Sequence, residues 1–172
     1  DVDEQDLSTT VMNQPISMPI LTAPAAFNAM AHPDGECAVA RATGFSKTIQ
    51  ILSTFSTYKM EDVAAESTGP RWFQLYCVRD RGITRALVER AETSGYSALC
   101  LTVDAPLLGR RERDVRNEFK LPDGMSMKNL ESLPQEVLTK VSEGSALEAY
   151  FTGQLDSSLT WESIEWFRSL TR

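Results

Sequence analysis

The chain has 172 residues, a length typical of one domain with a sizeable core. Hydrophobic residues make up 42% and charged residues 24%, as in ordinary globular proteins, while the net charge of -7 argues against nucleic acid and anionic membrane surfaces as partners. No apolar run approaches the roughly 18 residues of a membrane span, and no signal-peptide pattern is present.

Short apolar runs alternate with helix-like stretches along the chain. In chain order, strand 18–26 precedes helix 33–43, strand 48–55 precedes helix 59–67, strand 71–77 precedes helix 80–95, and strand 98–105 precedes helix 160–171. Four such repeats predict right-handed crossovers and a parallel sheet, either half of an eight-stranded barrel or an open doubly wound sheet. No glycine-rich phosphate fingerprint follows any strand, which disfavours a dinucleotide-binding version.

Several helix ends carry local signals. Pro33 and Asp34 stand at the head of the first helix, Gly95 is suited to the end of the third, and Thr160 is suited to the N-cap of the fourth.

The stretch at about 106–159 breaks the rule of short connections. Its scattered prolines and glycines predict a long, lid-like excursion between the fourth strand and the fourth helix.

Strand parity indicates a functional site. In "ALCLTVDA", Leu99, Leu101 and Val103 share one face, whereas Cys100, Thr102 and Asp104 share the other. Each strand keeps one apolar face for helices, and the opposite face turns polar near its C-terminal end, with Ser53, Gln74, Tyr76, Thr102 and Asp104. Because ligands bind at the C-terminal ends of parallel strands, this polarity predicts a shared site rather than separate core hydrogen bonds.

The cysteines Cys37, Cys77 and Cys100 have no metal-ligand spacing, so no metal site is predicted. Free cysteines in strand-like runs favour an intracellular location, with no distinction between peroxisome, mitochondrion and cytoplasm.

Four motifs, in the same order along the chain, resemble those of a known protein family. "MAHPDGECAVARA", "WFQLYCVRDR", "LTVDAPLLGRRERDVRNEF" and "GQLDSSLTWESIEWF" together resemble the FMN-dependent α-hydroxy acid oxidases and dehydrogenases. That resemblance implies FMN at the C-terminal mouth of a (β/α)8 barrel. Residues 1–172, which begin with Asp1 and stop after a helix-like segment, are then expected to be its first four strand–helix units.

The resemblance implies contacts with the flavin. Ala23, Pro24 and Ala25 match a segment whose backbone meets the flavin ring, although Ala25 stands where the family usually has threonine. Ser53, Gln74 and Thr102 match side chains that hydrogen-bond the isoalloxazine or the ribityl chain.

The same resemblance implies a catalytic set of Tyr76, Asp104 and Arg111. Tyr76 matches a tyrosine beside the substrate, Asp104 an aspartate that orients a catalytic histidine, and Arg111 an arginine that supports negative charge. The implied substrate pocket comprises Ala25, Phe55, Tyr76 and Arg111.

His32 is the only histidine in the chain, and its place in "AHPDGE" makes it structural rather than catalytic. The family's catalytic histidine, its flavin-side lysine and its substrate-binding arginine all belong to later strands. The implied reaction is oxidation of an L-2-hydroxy acid to the 2-oxo acid, with dioxygen reduced to peroxide by the flavin.

Alternatives remain open. The segment could instead be a non-catalytic half-barrel module that pairs with another chain, or a (β/α) enzyme without flavin. The expected partner is a small 2-hydroxy acid, with no nucleic acid and no membrane, and the parent protein is expected to be a homo-oligomer.

Overall fold

A computed structural model describes residues 3–104, 109, 111–131 and 154–171. It shows a mixed α/β fold with a parallel sheet. In this described part of the chain, every helix is too short or too polar to cross a membrane.

The described residues contain five strands in two sheets. An antiparallel hairpin joins β1 (Thr9–Val11) to β2 (Gln14–Ile16). The parallel sheet has the order β3–β4–β5, built from β3 (Gln50–Leu52), β4 (Arg71–Tyr76) and β5 (Leu99–Thr102).

Helices connect the parallel strands and continue beyond β5. After a 3-10 turn at Asn28–Met30, the helices in the described part of the chain are α1 (Gly35–Phe45), α2 (Met60–Glu66), α3 (Arg81–Thr93), α4 (Glu112–Arg116) and α5 (Ser163–Leu170). The end of α3 was predicted correctly, because Gly95 follows it with φ of 77°. The N-cap of α5 is Glu162 rather than the predicted Thr160.

The first predicted strand, 18–26, is the main correction. Only Thr22 forms a bridge, parallel to Gln50, and the rest of the segment is irregular. Pro19 and Pro24 have no N–H to donate to a ladder, which explains why a continuous strand does not form. The other three predicted strands are present but shorter, and Val103 lies beyond the end of β5 with 66% of its surface exposed.

The β1–β2 hairpin was not predicted. Its turn places Met12 and Asn13 at φ of 46° and 63°, as the tight turn of a hairpin requires. Ile16 packs against Ile49 and Trp72, and the Trp72 indole donates to Gln14 Oε1 at 2.8 Å. The hairpin therefore covers the N-terminal end of one sheet face.

The two faces of the sheet pack differently. The face toward the helices is mostly apolar, and Leu52, Phe73 and Leu75 are almost fully buried in the main core. The exception is Gln50 on the same face, whose side-chain amide donates to the Glu36 carbonyl of α1 at 3.0 Å. The opposite face is apolar only near the hairpin, at Ile51 and Cys100 among others. Its C-terminal half is left to polar side chains, as parity predicts.

Parts of the predicted excursion at 106–159 are anchored. Asn129 and Leu130 are fully buried, and Leu155 forms an antiparallel bridge with Val78. Residues 132–153 lie outside the described residues, so a lid function stays a prediction.

Candidate active site

Three neutral polar side chains form a row across the ends of the parallel strands. The Gln74 amide lies in the middle, where its Nε2 donates to Thr102 Oγ1 at 2.7 Å. Its Oε1 accepts the Thr54 N–H at 3.1 Å and lies 3.5 Å from the Ser53 hydroxyl. The row joins β3, β4 and β5 through side chains, so its members hold one another in position.

Parallel register explains this row. Residue Gln74 is paired with Cys100, and Tyr76 with Thr102, so the polar face of β5 adjoins the polar face of β4. Ser53 directly follows β3, which places it on the same edge. The predicted grouping of Ser53, Gln74 and Thr102 is therefore what the structure shows.

A cavity of about 620 Å³ opens over this row. Its wall contains eight of the predicted site residues together with four others: Pro24, Ser53, Phe55, Gln74, Tyr76, Thr102, Asp104 and Arg111, with Ala26, Phe27, Asp114 and Phe119.

Tyr76 and Phe55 form an aromatic pair in this wall. Their ring centroids are 5.0 Å apart with an interplanar angle of 20°, which is a stacked arrangement. Burial raises the pKa of the Tyr76 phenol, the nearby Asp104 carboxylate raises it further, and Arg111 partly opposes them. Tyr76 is consequently a neutral phenol at physiological pH, able to donate a hydrogen bond.

Charged side chains lie at the rim of the cavity. Asp104 and Arg111 are exposed, and the Arg111 guanidinium lies 3.9 Å from the Asp114 carboxylate. Arg111 is also the N-cap residue of α4, so its backbone is placed at the start of that short helix.

Two predicted residues do not reach the cavity. Ala23 and Ala25 are exposed, and neither belongs to the cavity wall. Of this segment, the predicted Pro24 and the neighbouring Ala26 line the cavity instead. The pocket role of Ala25, and a backbone contact of Ala23 and Ala25 with a cofactor, therefore stay predictions.

His32 takes the predicted structural place. It is exposed, and its Nδ1 accepts the backbone N–H of Asp34 at 3.2 Å, outside the cavity wall.

Thr54 is a positioning group that strand parity did not identify. Its hydroxyl donates to the Gln74 carbonyl at 2.6 Å and accepts the Tyr76 N–H at 3.2 Å. It thereby ties the end of β3 to β4 directly below Tyr76. The signal in the sequence was only "LSTF", where either hydroxyl residue could have faced the site.

The loop after β3 is held from two sides by buried polar groups. The Asn129 side chain accepts the Met60 N–H at 2.8 Å and donates to the Ser56 hydroxyl at 2.9 Å. On the other side, the Glu36 carboxylate accepts the Thr57 N–H at 2.9 Å. Both were missed because each partner is distant in sequence.

The chemistry of this wall suits a planar, uncharged heteroaromatic ring. Amide and hydroxyl groups of Gln74, Ser53 and Thr102 can match ring donors and acceptors without a charge penalty. The described wall holds two carboxylates and one guanidinium, so it offers no excess positive charge for a phosphate.

Comparison with known proteins agrees with this chemistry. The family model described as FMN-dependent dehydrogenase matches residues 1–172. Glycolate oxidase 3 of Arabidopsis thaliana is 49% identical over 171 residues, which cover 99% of this chain and 46% of that protein. L-lactate oxidase of a Nostoc species is 49% identical over 175 residues, covering 99% and 48% respectively.

Solved structures give the same result. Mandelate oxidase with (S)-4-hydroxymandelic acid superposes with a TM-score of 0.86 at 32% identity, covering 99% of this chain and 47% of that one. An active chimera of (S)-mandelate dehydrogenase gives 0.85 at 37% identity, covering 100% and 48%. The chain thus spans about half the length of the relatives it matches. It belongs to the FMN-dependent dehydrogenase family, and its cofactor is FMN.

Proposed function

We propose that this chain is part of an FMN-dependent oxidoreductase that oxidises an L-2-hydroxy acid to the 2-oxo acid. Dioxygen is the proposed electron acceptor, and hydrogen peroxide the second product. The observation that carries the proposal is the convergence of Gln74, Thr102, Tyr76 and Asp104 on one cavity at the ends of neighbouring parallel strands.

FMN supplies the two-electron chemistry, and this chain supplies the surroundings of its ring. Ser53, Gln74 and Thr102 would hold the polar edge of the isoalloxazine or the ribityl chain. Their mutual hydrogen bonds pre-orient them, so little side-chain freedom is lost on binding. The phosphate needs cationic groups that the described wall does not provide.

The rim residues would serve the substrate. Tyr76 is placed to donate its phenolic hydrogen to the substrate's carboxylate or hydroxyl. Arg111 would offset negative charge, and Asp104 would orient and stabilise a protonated histidine supplied from outside residues 1–172. Alone, this chain contributes no general base and is expected to be inactive.

The pocket wall near Phe55 would set the size of the substrate. Phe55 is buried and stacked on Tyr76, and Phe27 lines the same cavity. A wall of this kind favours a 2-hydroxy acid whose side chain can contact aromatic rings, although glycolate, lactate and mandelate are all reasonable substrates to test first.

The order of the strands supports a barrel. The segment at Thr22, then β3, β4 and β5 adjoin one another in chain order, all parallel. A doubly wound sheet reverses its order at a switch point, whereas an eight-stranded barrel does not. We therefore propose that residues 1–172 form the first half of a (β/α)8 barrel.

The alternative is a non-catalytic half-barrel that pairs with another chain. The exposed Val103 at the end of β5 favours an additional partner surface there. Under this alternative the polar row would have no ligand to bind.

The test is expression of the complete protein. We expect it to purify yellow with FMN, and to form the 2-oxo acid and peroxide in equal amounts from an L-2-hydroxy acid. Glycolate, L-lactate and (S)-mandelate are compared, with the D-isomers of the chiral acids as controls. Colourless protein that FMN cannot reconstitute would remove the proposal, and FMN binding without turnover of any L-2-hydroxy acid would remove its substrate class.

A further inference from the structure

Glu36, in the first turn of α1, points into the protein rather than to solvent. It is 1% exposed, although a glutamate in this position is usually solvated. Its Oε1 accepts the N–H groups of Asn28 at 3.0 Å and Thr57 at 2.9 Å, and its Oε2 accepts the Thr57 hydroxyl at 2.6 Å. Within the described residues, no cation forms an ion pair with it.

These partners belong to two different loops. Asn28 follows the irregular first segment, and Thr57 follows β3. The same loops also meet directly, since the Phe27 N–H donates to the Phe55 carbonyl at 3.2 Å and the Ala29 N–H donates to the Thr57 hydroxyl at 3.2 Å. Glu36 thus lies at the centre of one connected network.

The network ends at the cavity wall. Phe27 and Phe55 both line the cavity, each within two residues of a group that Glu36 binds. Phe27 has φ of 57°, a left-handed conformation that a bulky residue rarely adopts without support from its surroundings. Release of the Asn28 N–H would remove a restraint on that conformation.

The N-terminus of α1 is shaped for this approach. Gly35 has φ of 44°, and a Cβ added there would lie 3.1 Å from both the Ala29 nitrogen and the Tyr58 ring. Glycine at this position lets the helix start come close to both loops. The adjacent glutamate then reaches each of them.

A carboxylate is the side chain suited to these donors. It accepts at both oxygens, whereas the glutamine amide accepts at one atom and donates at the other. Burial of a carboxylate is unfavourable unless it is hydrogen-bonded, and three donors meet that requirement here.

We propose that Glu36 is a positioning residue that ties the loop at residues 27–29 to the loop at residues 55–57 and thereby holds Phe27 and Phe55 in the cavity wall. Glu36 itself does not line the cavity. Its effect on substrate binding rests on the function proposed above, but its effect on the two loops does not.

The experiment uses the complete FMN-bound protein with Glu36→Ala and Glu36→Gln. The control is Thr43→Val, since Thr43 lies buried on the same helix and, among the described residues, its hydroxyl bonds only to the α1 carbonyls of Val39 and Ala40. Amide hydrogen exchange is followed in peptides that contain Asn28 and Thr57, together with kcat and KM for the preferred hydroxy acid.

In Glu36→Ala we expect exchange in both peptides to accelerate about tenfold or more relative to Thr43→Val, corresponding to loss of a restraint of roughly 1.4 kcal/mol. KM should rise by a similar factor while kcat changes less, because the loops shape the wall rather than the reacting groups. Glu36→Gln should lie between wild type and Glu36→Ala, since one oxygen still accepts both N–H groups.

If both loop peptides exchange equally fast in Glu36→Ala and Thr43→Val, Glu36 does not connect the two loops, whatever the activity. Faster exchange with an unchanged KM would overturn the link to the pocket. Absence of turnover in the wild-type protein would instead count against the proposed function, while exchange still decides the tie.

If Glu36→Ala does not fold, the variants Thr57→Val and Thr57→Ser test the same connection between the two loops. Serine keeps the hydroxyl that Glu36 and Ala29 share, and valine removes it. We expect wild-type exchange at Asn28 and Ala29 in Thr57→Ser and accelerated exchange in Thr57→Val. Identical behaviour of this pair would overturn the proposal.

Discussion

The loop after β3 and the chain after β5 lie at the same edge of the sheet but differ in how fully they are packed. Residues 53–57 are all buried, and Glu36 and Asn129 bind polar groups of Thr57 and Ser56 in this loop. Beyond β5, Val103 is 66% exposed and Asp104 is exposed as well.

The two regions therefore contribute different things to the cavity. The packed side has its hydrogen-bond partners within the described residues, so it defines the wall of the cavity. The open side presents the charged groups Asp104 and Arg111. Substitutions on the packed side should therefore act on stability and binding, and substitutions on the open side on rate.

The largest effect is expected at Asp104. In the complete protein, Asp104→Asn should slow turnover roughly 10- to 150-fold, because under the proposed function a charge-assisted hydrogen bond of about 1.5–3 kcal/mol to a protonated histidine would be lost. FMN content and Tm should stay near wild type, since the amide keeps the shape and the residue is exposed in the described structure. Steady-state kinetics and thermal melting measure both, and normal turnover with a lowered Tm would contradict the assignment.

On the packed side, Asn129→Ala should lower the free energy of unfolding by about 2 kcal/mol, because it leaves the buried Met60 N–H and the Ser56 hydroxyl without this partner. Lys128→Ala is the control, since its surface pair with Glu131 should contribute less than about 1 kcal/mol. Denaturant unfolding measures the two variants. Equal decreases in the free energy of unfolding of the two variants would show that the Asn129 side chain does not stabilise this loop.

A smaller effect is expected in the polar row between the two regions. Thr102→Val removes the acceptor for Gln74 Nε2 and should weaken FMN binding about fivefold, or roughly 1 kcal/mol. Flavin fluorescence during titration gives the dissociation constant. Thr102→Ser keeps the acceptor, so an affinity as low as that of Thr102→Val would contradict the role of the hydroxyl.

A separate effect is a dependence of stability on alkaline pH. Burial, with help from Glu66 and Asp62, raises the pKa of the Cys37 thiol to about 11 from an ordinary value of 9.0. Below pH 9.0 the thiol is protonated in both states, and its contribution to stability is fully present. Between these values the unfolded chain loses the proton and the folded chain keeps it, so stability should fall as pH rises. Thermal melting from pH 8 to 11 should show a shallower decline in Cys37→Ala than in wild type, and equal slopes would contradict this assignment.

Strand parity predicted that the polar side chains at the strand ends lie together. The row of Ser53, Gln74 and Thr102 follows from alternation along strands that are in fact paired in parallel. The same rule failed at Val103, which lies beyond the end of β5 and is exposed instead of packing with Leu99 and Leu101.

Strand parity could not predict the residues that hold the cavity wall in place. Glu36 has the local appearance of an ordinary acidic residue in a first helical turn. Its burial depends on Thr57, which is 21 positions away in the chain, and on the close approach that Gly35 permits. Asn129 lies in a stretch interpreted as a lid, and only tertiary structure shows that it packs beneath the β3 loop.

The long sequence separation of the Asn129–Ser56 hydrogen bond affects the order of folding. Neighbouring strands pair across short separations, so each parallel pairing can form soon after its second strand leaves the ribosome. The bond from Asn129 to Ser56 spans 73 residues, and it cannot form until the chain has been extended well past β5. We therefore expect the sheet to assemble first during synthesis, with the loop above β3 acquiring its native shape only when residue 129 arrives.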